Sequence, residues 1–359
     1  MSSSLLRIYT SSDAGGPGLV VPTGSVGNIL NILDACLVNG YTGHPAAGWT
    51  KPFANSAGRG CYTQGAGCGF TLHVNDDKAS TGGYGYALIT GWEVLTGLGS
   101  VGTGTGQFPA PAQGMGGFVG MAQGYSGSLG TGRAWIIAAD ASTVYMWILT
   151  GENGFNYSHW GFGDIYSLNG PSDAWRCMIY GRTAFANIGF NSSIQAEWSD
   201  TLLKPYEGAT SQDGIFQPMP GHYIARNFGG TGGSSTINRK GDTTWLRSVW
   251  GTTPAVIHMS SRLPAPNPAD NGLYISPLWV TDPSSAGLRG RFRGLYQILH
   301  DVANFSDGQI FTGAGDYAGK TFQIIRNGMN TNNGTSWSVG GITGITGWAL
   351  EISNTVETN

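Results

Sequence analysis

Glycine recurs along nearly the whole of this chain, and it is interleaved with aromatic side chains rather than segregated from them. That mixture constrains the fold more than any other feature. Sixty Gly in 359 residues without a Gly-X-Y period exclude a collagen helix. The 12 Trp, 15 Tyr and 14 Phe supply bulky core material that disordered chains lack. Glycine scattered among rings marks turns, bulges and close backbone approaches, the grammar of an all-β fold.

Segment by segment, Leu5 to Tyr9 reads as a short opening strand. The one clear helix follows. Ser25 is a candidate N-cap, Val26, Ile29, Leu30, Leu33, Cys36 and Leu37 recur at helical spacing, and Gly40 supplies the stop. An amphipathic helix over 26–39, packed on a sheet, is expected. Phe70 to Val74, Gly85 to Thr90, Ala134 to Ala138 and Val144 to Leu149 then read as short strands, the last two facing each other across Asp140-Ala-Ser-Thr. Ser100 to Gly130 is a long Gly/Ser/Gln/Pro stretch suited to ordering against a neighbour. Strands resume at Met178 to Arg182, Tyr274 to Val280, Phe322 to Ile325 and Trp348 to Ile352, whereas Leu288 to His300 fits strand or helix. No fixed-period repeat is present, which disfavours solenoids and propellers. The expectation is two sandwich-like β domains, residues 1–190 and 191–359, with the helix on the first.

Charge narrows the class of function. Charged residues are 11% of the chain, less than half the usual share of about 25%. A free monomer ordinarily depends on charge for solubility, so a chain this neutral suits a subunit covered by its neighbours. The net charge of −3 argues against a general nucleic-acid face. The opening MSSSLLRIY lacks an apolar stretch long enough for a secretion signal, and no apolar run is long enough to span a bilayer. Synthesis in a cytoplasm, without membrane partners, is expected.

Motifs that carry chemistry fail on context. Ala314-Gly-Asp-Tyr-Ala-Gly-Lys-Thr321 fits a relaxed phosphate-loop pattern, but Phe322-Gln-Ile-Ile-Arg-Asn-Gly reads as a strand and turn where a helix must begin. Gly97-Leu-Gly-Ser-Val-Gly102 matches a dinucleotide fingerprint, yet Thr-Gly-Thr-Gly-Gln-Phe-Pro cannot open its helix. His44, His73, His159, His222, His258 and His300 lack the i, i+2 or i, i+4 spacing that gathers a metal. No nucleophile elbow is present, and Asp76-Asp77 reads as a polar strand end rather than a calcium loop. No catalytic, cofactor-binding or metal-ligating residue is expected.

Two groups remain as candidate sites. Cys61 and Cys68 flank an apparent hairpin tip, Tyr-Thr-Gln-Gly-Ala-Gly. A bridge there would stabilise by roughly 2.5 kcal/mol; two reduced, packed thiols are the alternative, favoured in a cytosolic product. Arg289, Arg291 and Arg293 alternate with Gly290, Phe292 and Gly294. In an extended segment they share one face, which could grip acidic residues of a neighbouring subunit or phosphate. The bland alternative, held more strongly, is a sheet face bonded within the chain.

Leu33-Asp-Ala-Cys-Leu-Val-Asn-Gly-Tyr41, Ala47-Gly-Trp-Thr-Lys-Pro-Phe53, Gly69-Phe-Thr-Leu-His-Val-Asn-Asp-Asp77, Arg133-Ala-Trp-Ile-Ile-Ala-Ala-Asp140, Gly161-Phe-Gly-Asp-Ile-Tyr166 and Leu288-Arg-Gly-Arg-Phe-Arg-Gly-Leu-Tyr-Gln-Ile-Leu-His300 stand out. Together they resemble a family of virion structural proteins of tailed bacteriophages. The resemblance covers roughly residues 10 to 325, with gaps around 100–130 and 190–250, and is most specific over Leu33 to Phe53. It implies a particle component at the head–tail junction (a collar, neck or connector) or on the tail or capsid surface. It implies no catalytic residues and no cofactor, and it makes Cys61 and Cys68 departures from the family. The resulting expectation is a symmetric homo-oligomer in the virion, partnered by its own copies and by other head, neck or tail proteins. A host-recognition module that stacks Trp160 or Trp337 on sugars, and a cell-wall hydrolase, are the other readings.

Overall fold

The computed structural model describes residues 6–20, 28–56, 58–77, 86–111, 119–122, 132–149, 157–181, 208–210, 216–218, 223–225, 236–238, 273–282, 287–298, 302, 305–327 and 346–352. The chain is mainly β, with one helix and several antiparallel sheets.

The hairpin Trp135–Ala139/Thr143–Leu149 sets the architecture. Its turn is built by Asp140, whose Oδ1 accepts from the amides of Ser142 (2.7 Å) and Thr143 (2.8 Å) and from Ser142 Oγ (2.9 Å). An Asp side chain mimics a backbone turn in this way. Both strands are almost continuously apolar, and the register explains why. Trp135 pairs with Ile148, Ile137 with Met146 and Ala139 with Val144; all six belong to one hydrophobic cluster. Ala138 and Tyr145, the intervening pair, belong to a second cluster with Trp147. Side chains alternate across a strand, so the run is apolar throughout because the sheet is covered on both faces.

This hairpin lies within a seven-stranded antiparallel sheet ordered Arg7–Thr10, Trp135–Ala139, Thr143–Leu149, Tyr157–Asp164, Cys177–Tyr180, Tyr223–Ala225, Thr236–Asn238. Its first face meets the helix and a five-stranded sheet ordered Ala54–Asn55, Arg59–Thr63, Thr71–Asn75, Tyr86–Trp92, Val119–Ala122, the N-terminal sheet. Its second face meets a C-terminal sheet ordered Tyr166–Ser167, Gly287–Ile298, Thr346–Glu351, Thr321–Asn327, Ile310–Thr312, with Ile275–Asp282 paired to Gly287–Ile298. A third cluster, around Tyr296, Phe322 and Ile324, covers the far side of the C-terminal sheet.

The helix is shorter and differently wound than the periodicity predicts. It runs as an α-helix over Ile29–Leu33 and continues as a π-helix over Asp34–Asn39. Ser25 and Val26 lie outside the described residues. Asp76 Oδ2 accepts from the Ile29 amide at 3.1 Å, so a carboxylate 47 positions away serves the helix N-terminus. Gly40 ends the helix at φ +73°. Its amide reaches back five residues to the Ala35 carbonyl (2.8 Å), and the amides of Ala47 and Trp49 take the carbonyls of Cys36 and Leu37. The last turn is thus bonded to the segment after it, which satisfies carbonyls that a helix end otherwise leaves open.

The ambiguous segment Leu288 to His300 is a strand, Gly287–Ile298. Within 100–130, Thr103–Thr105 and Val119–Ala122 are strands, while 112–118 and 123–131 lie outside the described residues. The expected domain boundary near 190 also falls outside them. Across it, Cys177–Tyr180 pairs with Tyr223–Ala225, and the second cluster draws on both halves of the chain.

Candidate functional site

The arginine stripe is extended, as the alternation predicts, but the structure corrects its role as an interface. Arg289 has a side-chain exposure of 0% and is ion-paired to Asp173, with Ser167 Oγ 2.6 Å from Nη1. Arg293 pairs with Asp140 at 2.9 Å and donates to Ser142 Oγ in the same hairpin turn. Burial alone would weaken the charge of Arg293, but Asp140 and its neighbours outweigh that and hold its pKa above the ordinary arginine value. Arg291 lies 5.2 Å over the ring of Tyr166, and Arg293 5.5 Å over the same ring. The stripe therefore fastens the C-terminal sheet to turns of the central sheet. Its carboxylate partners come from more than 100 residues away, a distance that no local pattern reveals.

The two cysteines of the hairpin take the reduced alternative. Cys61 and Cys68 are free thiols in different surroundings. Cys61 stands opposite His73 on the N-terminal sheet and packs with Trp92 and Leu95. Burial is the main influence on its thiol, raising it to about 11. Cys68, in the loop after Arg59–Thr63, packs against the first cluster instead.

There Cys68 meets residues that no sequence spacing associates with it. Asp164 ends the strand Tyr157–Asp164 and is the register partner of Cys177. The donor atoms of Cys68, Asp164 and Cys177 all lie within 4.8 Å of one another. The thiol of Cys68 is 3.0 Å from Asp164 Oδ1 and 3.3 Å from Gln64 Oε1. Asp164 Oδ1 also receives Gln64 Nε2 (3.0 Å) and the Cys68 amide (3.3 Å), while Arg176 Nε binds Oδ2 at 2.7 Å. The loop must come this close through Gly67, at φ +81°, where an added Cβ would stand 2.5 Å from Asp164 Oδ2. Burial is the main cause that raises both thiols above the ordinary cysteine range, with Asp164 adding to it at Cys68 and Cys68 adding to it at Cys177. Burial thus favours the neutral, less nucleophilic form of both thiols.

The other candidates resolve into structure. Gly97 and Thr103 belong to the hairpin Val94–Gly97/Thr103–Thr105, with no helix for a dinucleotide. Gly315–Tyr317 is a single 3₁₀ turn between Ile310–Thr312 and Thr321–Asn327, which pair with each other. Asp76 follows the strand Thr71–Asn75, and Asp77 pairs with Arg59 at 2.8 Å. His44 lies 3.4 Å from Asp13, while His73 and His159 are buried; His222, His258 and His300 lie outside the described residues. Trp160 is fully buried, so it cannot stack on a sugar, and Trp337 lies outside the described residues. Trp49, Trp92, Trp135, Trp147 and Trp348 are buried as well.

A scan against protein-family models finds no match. A search of curated proteins likewise finds no relative of this chain.

Proposed function

We propose that this chain is a structural subunit of a tailed-phage particle that acts by assembly and not by catalysis. Its place is the head–tail junction, as part of a collar or neck, or the particle surface, in a symmetric ring or trimer of its own copies. The observation that carries this reading is where the few charges go. The ion pairs Arg289–Asp173, Arg293–Asp140 and Arg176–Asp164 all have side chains no more than 17% exposed. In a chain with only 11% charged residues, burying these pairs leaves correspondingly less charge to keep a surface dispersed. Val94, Leu168 and Ile310 meanwhile expose more than half of their area. Contact with neighbouring subunits removes such neutral, partly apolar surface from water.

The test is the purified protein in sedimentation velocity, followed by a reconstruction of whole particles. A closed oligomer, and density for the chain at a fixed particle site, are the expected results. A stable monomer absent from purified particles would sink the proposal. A host-recognition role gains no support from Trp160, the sugar platform expected within the described residues, because it is buried.

A further inference from the structure

From the geometry around Asp164 we infer a binding site for one soft divalent cation, best matched by Zn²⁺, whose ligands are Cys68, Cys177, Asp164 and Gln64. Tetrahedral zinc has Zn–S distances near 2.3 Å and Zn–O near 2.1 Å, so its sulfur–oxygen edges are about 3.6 Å and its sulfur–sulfur edge about 3.8 Å. The sulfur of Cys68 already stands 3.0 Å from Asp164 Oδ1 and 3.3 Å from Gln64 Oε1, and the Cys177 sulfur lies within 4.8 Å of the Cys68 and Asp164 donor atoms. Seating an ion asks for displacements of roughly half to one ångström, next to a loop that holds Gly67.

The chemistry of the donors selects the metal. Two sulfurs exclude magnesium and calcium, which take oxygen ligands, and favour zinc. Binding converts two thiols to thiolates and releases both protons to solvent, with no change of oxidation state. Two thiolates and one carboxylate then carry three negative charges against two on the metal. Arg176, 2.7 Å from the other carboxylate oxygen, cancels the remaining one. Its Nη1 is fixed by the carbonyls of Pro171 (2.6 Å) and Asp173 (2.7 Å), so it orients the carboxylate from behind, as an outer-shell partner does. Gln64 is positioned in the same way: the Phe70 amide donates to its Oε1 at 2.7 Å, which leaves a second lone pair on that oxygen.

A disulfide between the two cysteines accounts for less. It leaves the convergence of Asp164 and Gln64 on the Cys68 sulfur unexplained. The site also joins separate parts of the fold, since Cys68 lies in a loop of the N-terminal sheet whereas Asp164 and Cys177 belong to the central sheet.

Co²⁺ titrated into the full chain under a non-thiol reductant tests the site, because cobalt in a tetrahedral thiolate site gives an intense sulfur-to-metal charge-transfer band. One equivalent should bind, Zn²⁺ should displace it, and metal analysis of the dialysed protein should return one zinc per chain. Cys68→Ser and Cys177→Ser should each weaken binding at least tenfold, Asp164→Asn should weaken it similarly, and Cys61→Ser should leave it unchanged. Circular dichroism establishes that each variant is folded. Should a cysteine variant not fold, the wild-type spectrum and stoichiometry decide alone. No charge-transfer band in the folded wild type overturns the site, as does a band that survives in folded Cys68→Ser. Isolation of a Cys68–Cys177 disulfide with no metal uptake after its reduction overturns it equally.

Discussion

Against the helix and the N-terminal sheet, the central sheet packs Trp135, Ile137, Met146 and Ile148. Against the C-terminal sheet it packs Tyr145, Trp147 and Tyr180, and that second seam is also fastened by Arg289 and Arg293 to Asp173 and Asp140. The first seam combines packing with hydrogen bonds, such as those of Gln64 and Cys68 to Asp164. The second adds ion pairs inside an aromatic layer, where His159 sits 4.7 Å from Trp348 and 6.3 Å from Trp147 between ring centroids. The contrast teaches how a charge-poor chain uses its ions: here they fix how two sheets meet. The two seams should therefore fail in different ways.

The largest expected effect is at the second seam. Removing one partner of a buried pair strands the other charge, at a cost of about 3–5 kcal/mol. Arg289→Met should lose that much in urea denaturation, because both Arg289 and Asp173 are almost wholly buried. Adding Asp173→Asn should recover a substantial part by removing the stranded charge. If Arg289→Met is as stable as the parent chain, the clamp contributes nothing and the two seams are alike.

At the first seam no charge is stranded, and the cost is a cavity. Leu33 is fully buried on the helix face. Leu33→Ala should cost about 3 kcal/mol, within the range for such truncations. A second substitution elsewhere should not rescue it as Asp173→Asn rescues Arg289→Met. Denaturation of the single and double variants side by side therefore separates a packing seam from a clamped one.

Acid sharpens the comparison by acting outside both seams. His73 lies on the N-terminal sheet between Cys61 and Thr90, and burial, with help from Arg59, lowers its pKa from 6.5 to about 4. The unfolded chain therefore takes up a proton below pH 6.5 that the folded chain refuses until about pH 4. This contribution to stability is complete above the upper value and is lost as the pH falls toward the lower. It should amount to about 2 kcal/mol between about pH 8 and about pH 5. In His73→Gln that part of the slope should vanish from denaturation curves across the range. An unchanged slope would mean that His73 is protonated in the folded chain or that its surroundings hydrate.

How much of this was legible in the sequence follows the same division. The hairpin around Asp140 could be read because its strands and its Asx turn are local, and Gly40 marks the helix end because its φ is a local property. The central sheet could not be placed between two others, since its continuous apolar runs fit any buried strand. The π-helical turn over Asp34–Asn39 depends on carbonyl partners at Ala47 and Trp49, beyond the reach of periodicity. The stripe could be seen as three arginines on one face, but its destination was set by Asp140, Tyr166 and Asp173. The neighbours of Cys68 were hidden for a related reason. Cys61 and Cys68 are near in sequence, whereas Cys68 meets Cys177, and only the register of Asp164 with Cys177 brings that thiol within range.

The smallest effect tests whether position or residue type governs the stripe. Arg291 is chemically identical to its neighbours two residues away, yet it is only half-buried and lies over the face of Tyr166. A cation above an exposed ring contributes about 0.5–1 kcal/mol. Arg291→Ala should therefore cost less than Arg289→Met, whose side chain and partner are almost wholly buried. Arg291→Lys should keep most of that contribution, because a cation–ring contact tolerates an ammonium, whereas Arg289→Lys should lose much of the clamp by forfeiting the guanidinium's fixed fork of donors. If Arg291→Ala is as damaging as Arg289→Met, the stripe acts as one unit and the clamp extends along the whole strand. If the order holds, Asp173 and Asp140 decide which of three like residues bind the two sheets together.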